Sequence, residues 1–362
     1  MQKVIIIVNN LAIGGAERVV VDDVNAFIDA GVDVVLVTLK KEKQYSFASQ
    51  CRIPPEKWIT IPFTGMYDLR SWRRLCRVFR QEKPELIVSH LWYANTIGRI
   101  AAIFVGMQSR YIAFEQNVYD TIKTRRMFFY DYVLQFFCKK IIAVSHAVKD
   151  SLIHHNIQQR RIDVLYNAVD VSRYGSLAQR AEVRESLGLH ENDFVYVCVG
   201  RLIPQKGMDV LIRAFVLVPE SKLIIVGQGP LHDSLVALAD EHGVGNRIIF
   251  AGVHPTVSPL LAASDVFVLA SRHEGWPLVL VEAMMSNLPI VTTDFDAAKE
   301  VFTNGNDALV VPREDPQLLA EAMNRVRTDI PLREHLCAHM KEVRTQFTSQ
   351  NHTRAILKYI SQ

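Results

Sequence analysis

Residues 194–218 read FVYVCVGRLIPQKGMDVLIRAFVLV. The apolar, β-branched run Phe194–Gly200 ends on glycine. A loop punctuated by Pro204 and Gly207 follows, and a helix-like stretch begins near Asp209 and runs to Val218. The run is continuous rather than alternating, which is how a parallel strand buried on both faces reads. Strand, glycine loop and helix together form the unit of α/β sheets covered on both faces.

The same unit recurs on either side. Downstream, Leu223–Val226, Ile248–Phe250, Val266–Leu269 and Ile290–Thr293 read as further strands. At the N-terminus, Lys3–Val8 is a buried strand broken by Gly14-Gly15. Ala16–Ala30 follows as a helix, Gly31 stops it, and Val32–Leu39 is the next strand, with Leu86–Ser89 and Ile141–Val144 beyond. The pattern starts twice, so the expectation is an α/β chain of two Rossmann-like domains facing each other across a deep cleft. The first covers 1–168 and the second 169–344, with a helix at about 345–362 packing back on the first. Ligands of such sheets sit outside the carboxyl ends of the strands, so the loops after strands are where chemistry is sought.

Composition agrees with a globular protein. The 362 residues are 49% hydrophobic and 22% charged, and this length suits two domains. No apolar run reaches the roughly 18 residues of a spanning helix, and Val4–Val8 is too short for a signal peptide. Cys51, Cys76, Cys138, Cys198 and Cys337 form no Cys-x-x-Cys pair. That argues against a disulfide framework or structural zinc and for a reducing cytoplasm, with Cys198 as a buried thiol. The first 170 residues carry 23 Lys and Arg against 16 Asp and Glu, an excess of +7; the remainder carries 18 against 22, hence −4. A basic first half implies an anionic partner.

Three loops carry chemistry. The first, Asn9–Glu17, follows a strand and opens a helix. Its Gly14-Gly15 pair reads either as a tight turn or as a place where backbone N–H groups approach an anion. Its spacing is not the dinucleotide Gly-x-Gly-x-x-Gly, which disfavours a nicotinamide dehydrogenase. In the second, Gly200–Gly207, Arg201 and Lys206 read either as two solvated cations or as a clamp for a diphosphate. The third is Glu274–Met284. Pro277 suits a first helical turn, which puts Glu282 inside a helix among Leu280, Val281, Ala283 and Met284. That carboxylate reads as partly buried and held either by a structural partner or by ribose hydroxyls. On a continuous helix Glu274 and Glu282 would be about 12 Å apart, wider than a glycosidase pair, so hydrolysis is not read.

In this order the three segments resemble the family 4 retaining glycosyltransferases of the GT-B fold. Gly14-Gly15-Ala16-Glu17 resembles a loop common in that family's first domain. Gly200-Arg201-Leu202 through Lys206-Gly207 resembles its second loop, and Glu274 through Glu282 its Glu, seven residues, Glu motif. Val226–Leu231 resembles its Gly-x-Gly-Pro-Leu turn and Val164–Asp170 its interdomain crossing, so the resemblance covers the whole chain.

The resemblance implies that Arg201, Lys206 and the Gly14-Gly15 backbone hold the diphosphate of a nucleotide-sugar donor. It implies that Glu282 binds the ribose, that Glu274 contacts the donor sugar, and that Gly275, Trp276, Pro277 and Leu278 line its pocket. It implies front-face substitution with retention, the leaving phosphate oxygen taking the acceptor proton, with no metal and no cofactor. There are departures. Gln116, in Ala113–Asn117, stands where the family often has a histidine near the donor sugar, with Asn117 beside it. Asn287 stands where glycine is common, and Asp296–Glu300 replaces a Gly-Gly turn. These leave the transferred sugar open. His90, after Leu86–Ser89, reads either as a catalytic histidine at the cleft or as a hydrogen-bonded structural one.

Two segments are basic and aromatic. Leu69–Lys83 holds Arg70, Arg73, Arg74, Arg77, Arg80 and Lys83. Thr121–Lys140 holds Lys123, Arg125, Arg126, Lys139 and Lys140 among Phe128, Phe129, Tyr130, Phe136 and Phe137. The first reads as an amphipathic helix with a solvated basic face, the second as a contact with an anionic membrane surface. No nucleic-acid module is recognised. The expectation is a cytoplasmic enzyme, peripheral to the inner face of the cell membrane. It would move a hexose or N-acetylhexosamine from a UDP-sugar to a lipid-linked or growing glycan in polysaccharide or lipopolysaccharide assembly. The rivals are a GT-B sugar-nucleotide epimerase and a non-catalytic nucleotide- or glycan-binding partner.

Overall fold

The computed structural model describes residues 2–118, 123–175 and 179–361. The chain divides into two compact units, Met1–Asp170 with Phe347–Gln362, and Val171–Gln346.

The first unit is a seven-stranded sheet: β1 (Lys3–Val8), β2 (Asp33–Thr38), β3 (Trp58–Thr60), β4 (Leu86–His90), β5 (Tyr111–Glu115), β6 (Lys140–Ala143) and β7 (Ile162–Val164). Their order is β3-β2-β1-β4-β5-β6-β7, and every pairing is parallel. Val4 through Val8 have no exposed surface, which a central strand covered on both faces demands. Right-handed crossovers put the helix Gly15–Asp29 on one face of the sheet. The helices Leu69–Glu82, Trp92–Val105 and Arg125–Leu134 then lie on the other. The last helix, Ser349–Ser361, lies on Gly15–Asp29, where His352 Nδ1 is 2.7 Å from Asp23 Oδ1 with both residues buried.

The second unit is a six-stranded sheet: β8 (Val195–Val199), β9 (Lys222–Val226), β10 (Ile248–Gly252), β11 (Val266–Leu269), β12 (Ile290–Thr293) and β13 (Leu309–Val311). Its order is β10-β9-β8-β11-β12-β13, again wholly parallel. Cys198 is wholly buried in β8, and burial pushes its thiol pKa up to about 12. In each sheet the strand order reverses beside the first strand, between β1 and β4 and between β8 and β11. Such a reversal opens a crevice at the carboxyl edge.

The loop after β8 is built to a tight tolerance. Gly200 N–H donates to Val226 O at 2.9 Å and Leu202 N–H to Gln228 O at 3.1 Å, while Leu202 O accepts from Leu231 N–H at 3.1 Å. The turn after β9 thus braces this loop. A Cβ on Gly227 would stand 2.0 Å from Gly200 O, and one on Gly229 2.3 Å from Leu202 O. Gly207 is left-handed, at φ +61°, and its Cβ would meet Ala270 O at 2.0 Å. Gly207→Ala is therefore expected to lower the unfolding free energy by at least about 2 kcal/mol, read as an earlier midpoint in urea.

Candidate functional site

The crevice of the second sheet collects the loops after β8 and β11. Gly207 ends a 3-10 turn, Pro204–Lys206, and caps the helix Met208–Val216. Lys206 Nζ lies 2.5 Å from Glu274 Oε1, and Ser271 Oγ donates to the same oxygen at 2.6 Å. Gln205 Nε2 donates to His273 O at 2.9 Å and to Glu274 Oε2 at 3.4 Å. Both charged side chains are largely buried, at 12% and 8% exposure. The two residues assigned to the diphosphate and to the donor sugar are thus in contact with each other. Arg201 differs: it is exposed, and no hydrogen bond to its side chain is present among the described residues.

Glu274 is not on a helix. It lies in the loop, and the helix Leu278–Met285 starts after Pro277, so the spacing argument from a continuous helix does not apply. Gly275, Trp276, Pro277 and Leu278 are buried where that helix begins. Glu282, inside it, is buried and accepts from the Tyr174 hydroxyl at 2.8 Å. Asn287 is left-handed at φ +57°, just past the helix end. Asparagine tolerates this conformation better than most side chains, which is why it can stand at a position that favours glycine. Asp296–Glu300 falls in a short helix, Asp296–Val301, rather than a turn.

The sequence reading missed Arg272, between Ser271 and Glu274. Its guanidinium takes Asp209 in a fork, Nη1 to Oδ1 and Nη2 to Oδ2, both at 3.0 Å. It also binds Glu314 through Nε and Nη2, and Nη1 donates to Pro204 O at 2.5 Å. Burial alone would hinder ionisation of Asp209, but the hydrogen bonds and charge of Arg272 outweigh it and hold the carboxyl below its ordinary value. The only sequence signal was a lone arginine in a loop, with partners 63 and 42 residues away.

In the first unit, Gly14 is the N-cap of Gly15–Asp29 in an extended conformation, φ −176°. A Cβ there would meet the end of the Glu17 side chain at 2.4 Å. Leu11 N–H donates to the Glu42 carboxylate at 3.0 and 3.1 Å, tying this loop to the segment after β2.

His90 is wholly enclosed. It stacks on Phe114 at 4.7 Å, and its Nδ1 is 3.1 Å from Gln116 Nε2. Gln116 Oε1 accepts from Asn167 Nδ2 at 2.6 Å. Burial, with a smaller push from His352, drives the His90 pKa down to about 3. Nδ1 then accepts from the Gln116 amide, and the ring is held neutral. Of the two readings left open for His90, its surroundings are those of a buried, hydrogen-bonded histidine. Gln116 is buried with it, and Asn117 is partly exposed just past β5.

The segment expected to be basic is sorted by charge. Thr121 and Ile122 lie outside the described residues. Lys123 is buried, 2.7 Å from Asp131 Oδ2 and 3.1 Å from Glu115 Oε2, while Arg99 Nη2 holds Asp131 Oδ1 at 2.7 Å. Lys139 donates to Tyr359 O and Lys140 pairs with Asp163. Only Arg125 and Arg126 of the five cations are exposed. A buried ammonium requires a carboxylate, and Lys123 has two. Conversely, Phe129, Tyr130, Tyr132, Val133, Phe136 and Phe137 are 39–65% exposed. On Leu69–Glu82, Leu75, Cys76, Val78 and Phe79 are buried and all five arginines are exposed.

The His90 shift has a sign. Neutral His90 stabilises the fold fully above the unfolded histidine pKa of about 6.5, and this is lost as pH falls toward 3. Chemical denaturation at pH 7 and pH 5 should show a loss of about 2 kcal/mol that His90→Gln abolishes.

With this geometry in view, the chain can be set beside known proteins. A family model described as Glycosyltransferase Family 4 matches residues 13–173, and one described as Glycosyl transferases group 1 matches residues 179–342. The chain is 27% identical over 275 residues to the UDP-Gal:alpha-D-GlcNAc-diphosphoundecaprenol alpha-1,3-galactosyltransferase of Escherichia coli, spanning 72% of this chain and 71% of that one. It is 25% identical over 380 residues to the N-acetylgalactosamine-N,N'-diacetylbacillosaminyl-diphospho-undecaprenol 4-alpha-N-acetylgalactosaminyltransferase of Campylobacter jejuni, spanning 99% and 100%. Anabaena HepE, crystallised in complex with UDP and glucose, matches over all of both chains with a TM-score of 0.89 at 21% identity. Between them the two models cover most of the chain, from residue 13 to 342, with its glycine loops and glutamates, and the chain belongs to the family 4 glycosyltransferases of the GT-B fold.

Proposed function

We propose that this glycosyltransferase moves a hexose or N-acetylhexosamine from a UDP-sugar to a lipid-linked or growing glycan of a cell-surface polysaccharide or lipopolysaccharide. The anomeric configuration is retained, and neither a divalent metal nor a cofactor takes part. The observation that carries the reading is the meeting of Lys206 and Glu274 at the carboxyl edge of β8 and β11. Two relatives named above act on glycans of diphosphoundecaprenol, and one structural neighbour holds UDP.

In this reading Arg201 and Lys206 neutralise the diphosphate, and Glu282, oriented by Tyr174, receives the ribose hydroxyls. Glu274 turns to a sugar hydroxyl, and the Gly275–Leu278 segment lines the sugar pocket. The anomeric C–O bond to phosphate breaks as the acceptor oxygen bonds the same face. The departing phosphate oxygen takes the acceptor proton, so no enzyme base is needed. Fixed cations in a dry site stabilise the leaving charge by about 3 kcal/mol each. Gly14 and Gly15, with Gln116 and Asn117, are the groups of the first unit assigned to the substrate side.

The protein works at the inner face of the cell membrane as a peripheral enzyme. Among the described residues no helix is long and apolar enough to cross a membrane. The outward aromatic residues of 129–137, with Arg125 and Arg126, support contact with an anionic bilayer.

Thermal unfolding in EDTA tests the donor. UDP at about 100 times its dissociation constant should stabilise the fold by about 2.7 kcal/mol, GDP and ADP much less, and Lys206→Met should remove most of the gain. No stabilisation by any nucleotide would sink the reading. UDP release that depends on acceptor separates transfer from epimerisation or mere binding. For the membrane, Phe129→Ser with Phe136→Ser should release the protein from anionic vesicles in a flotation assay; unchanged flotation would reject that surface.

A further inference from the structure

We infer that Arg272 is the positioning residue of the donor site, setting Lys206 and Glu274 in register by clamping both ends of the loop that carries Lys206. The inference rests on the donor-site reading of Lys206.

All five guanidinium N–H groups of Arg272 are used. Nε donates to Glu314 Oε1, and Nη1 to Pro204 O and Asp209 Oδ1. Nη2 donates to Asp209 Oδ2 and Glu314 Oε2. Pro204 lies two residues before Lys206 and Asp209 three after it. The side chain therefore grips the loop on either side of the ammonium, at the 3-10 turn and at the first turn of Met208–Val216. The main chain of Arg272 adds a third tie, its N–H donating to Gln205 O at 2.8 Å. On its own strand side, Arg272 follows Ser271 and precedes Glu274 by two residues, so the unit that fixes Lys206 also fixes its partner. Arg313 holds the Arg272 carbonyl at 3.0 Å and pairs with Asp294 at 3.2 Å, which anchors the clamp to the loops after β12 and β13.

A lysine cannot replace this. Its single nitrogen has three donors around one point and cannot reach two carboxylates and a carbonyl in a plane. Arg272 does not itself need to touch substrate. Its role is to keep the ammonium of Lys206 where the diphosphate arrives, since a misplacement of about 1 Å can cost two orders of magnitude in rate.

The test is UDP binding to the full chain by titration calorimetry, for wild type, Arg272→Lys, Lys206→Met and the double variant. The expected result is roughly tenfold weaker UDP binding for Arg272→Lys, but less than twofold further loss when Lys206 is already Met. A merely structural arginine would lower the thermal midpoint and leave UDP affinity unchanged, or weaken it equally in both backgrounds; either result overturns the clamp. If Lys206→Met is itself harmless, the donor-site reading falls and the clamp with it. If Lys206→Met is harmful and Arg272→Lys is not, only the clamp falls. Should Arg272→Lys fail to fold, Asp209→Asn and Glu314→Gln each remove one jaw and are subject to the same cycle.

Discussion

A wholly parallel sheet sends the carboxyl end of every strand to one edge, and a reversal of strand order opens that edge beside the first strand. In the second unit this one constraint puts the loops after β8 and β11 together, although Lys206 and Glu274 are 68 residues apart. The glycines follow from the crowding it creates. Gly207 lies against the carbonyl of Ala270, Gly227 against that of Gly200 and Gly229 against that of Leu202, with no room for a Cβ at any of them. Glycine here is a requirement of main chain packed on main chain, and flexibility is not what it supplies.

The same edge holds two cations in different states. Lys206 is largely buried and already balanced by Glu274, which Ser271 and Gln205 retain. Arg201 is exposed. A lone buried ammonium would be costly, and the carboxylate removes that cost while no anion is bound. In the proposed reading, a diphosphate would bring its own negative charge and take the place of the Glu274 oxygen, freeing that carboxylate for hydroxyl groups. Two residues with separate assignments are in this way coupled before any ligand enters.

Much of this was legible in the sequence, because buried parallel strands write long β-branched runs and the loops after them are marked by glycine. Lys3–Val8 and Val266–Leu269 coincide with β1 and β11 to the residue. The strands that left no trace are of two kinds. Trp58–Thr60, Ile162–Val164 and Leu309–Val311 are three-residue edges, too short for a period. Tyr111–Glu115 ends on a charge that is buried because Lys123 and the Asn95 amide pair with it. The site divides likewise. Glycine loops and glutamates announce themselves by local order. Arg272 does not, since its partners come from distant loops that only the fold assembles. His90 left two readings open because a histidine after a strand looks the same whether it opens to solvent or stacks on Phe114.

The outer face of the first unit turns this logic around. Arg125–Leu134 points Asp131 inward, where Arg99 and Lys123 hold it, and Leu134, Gln135 and Cys138 are buried beyond it. A helix pinned by a buried acid cannot rotate its other side into the core. Phe129, Tyr130 and Val133 of the same helix are exposed. In water each such half-exposed apolar side chain forgoes on the order of 1 kcal/mol of burial. The burial of Arg99 is offset by the charge of Asp131, which keeps the guanidinium charged despite complete enclosure. The ion network thus holds the acidic side of the helix inward while its aromatic side stays exposed.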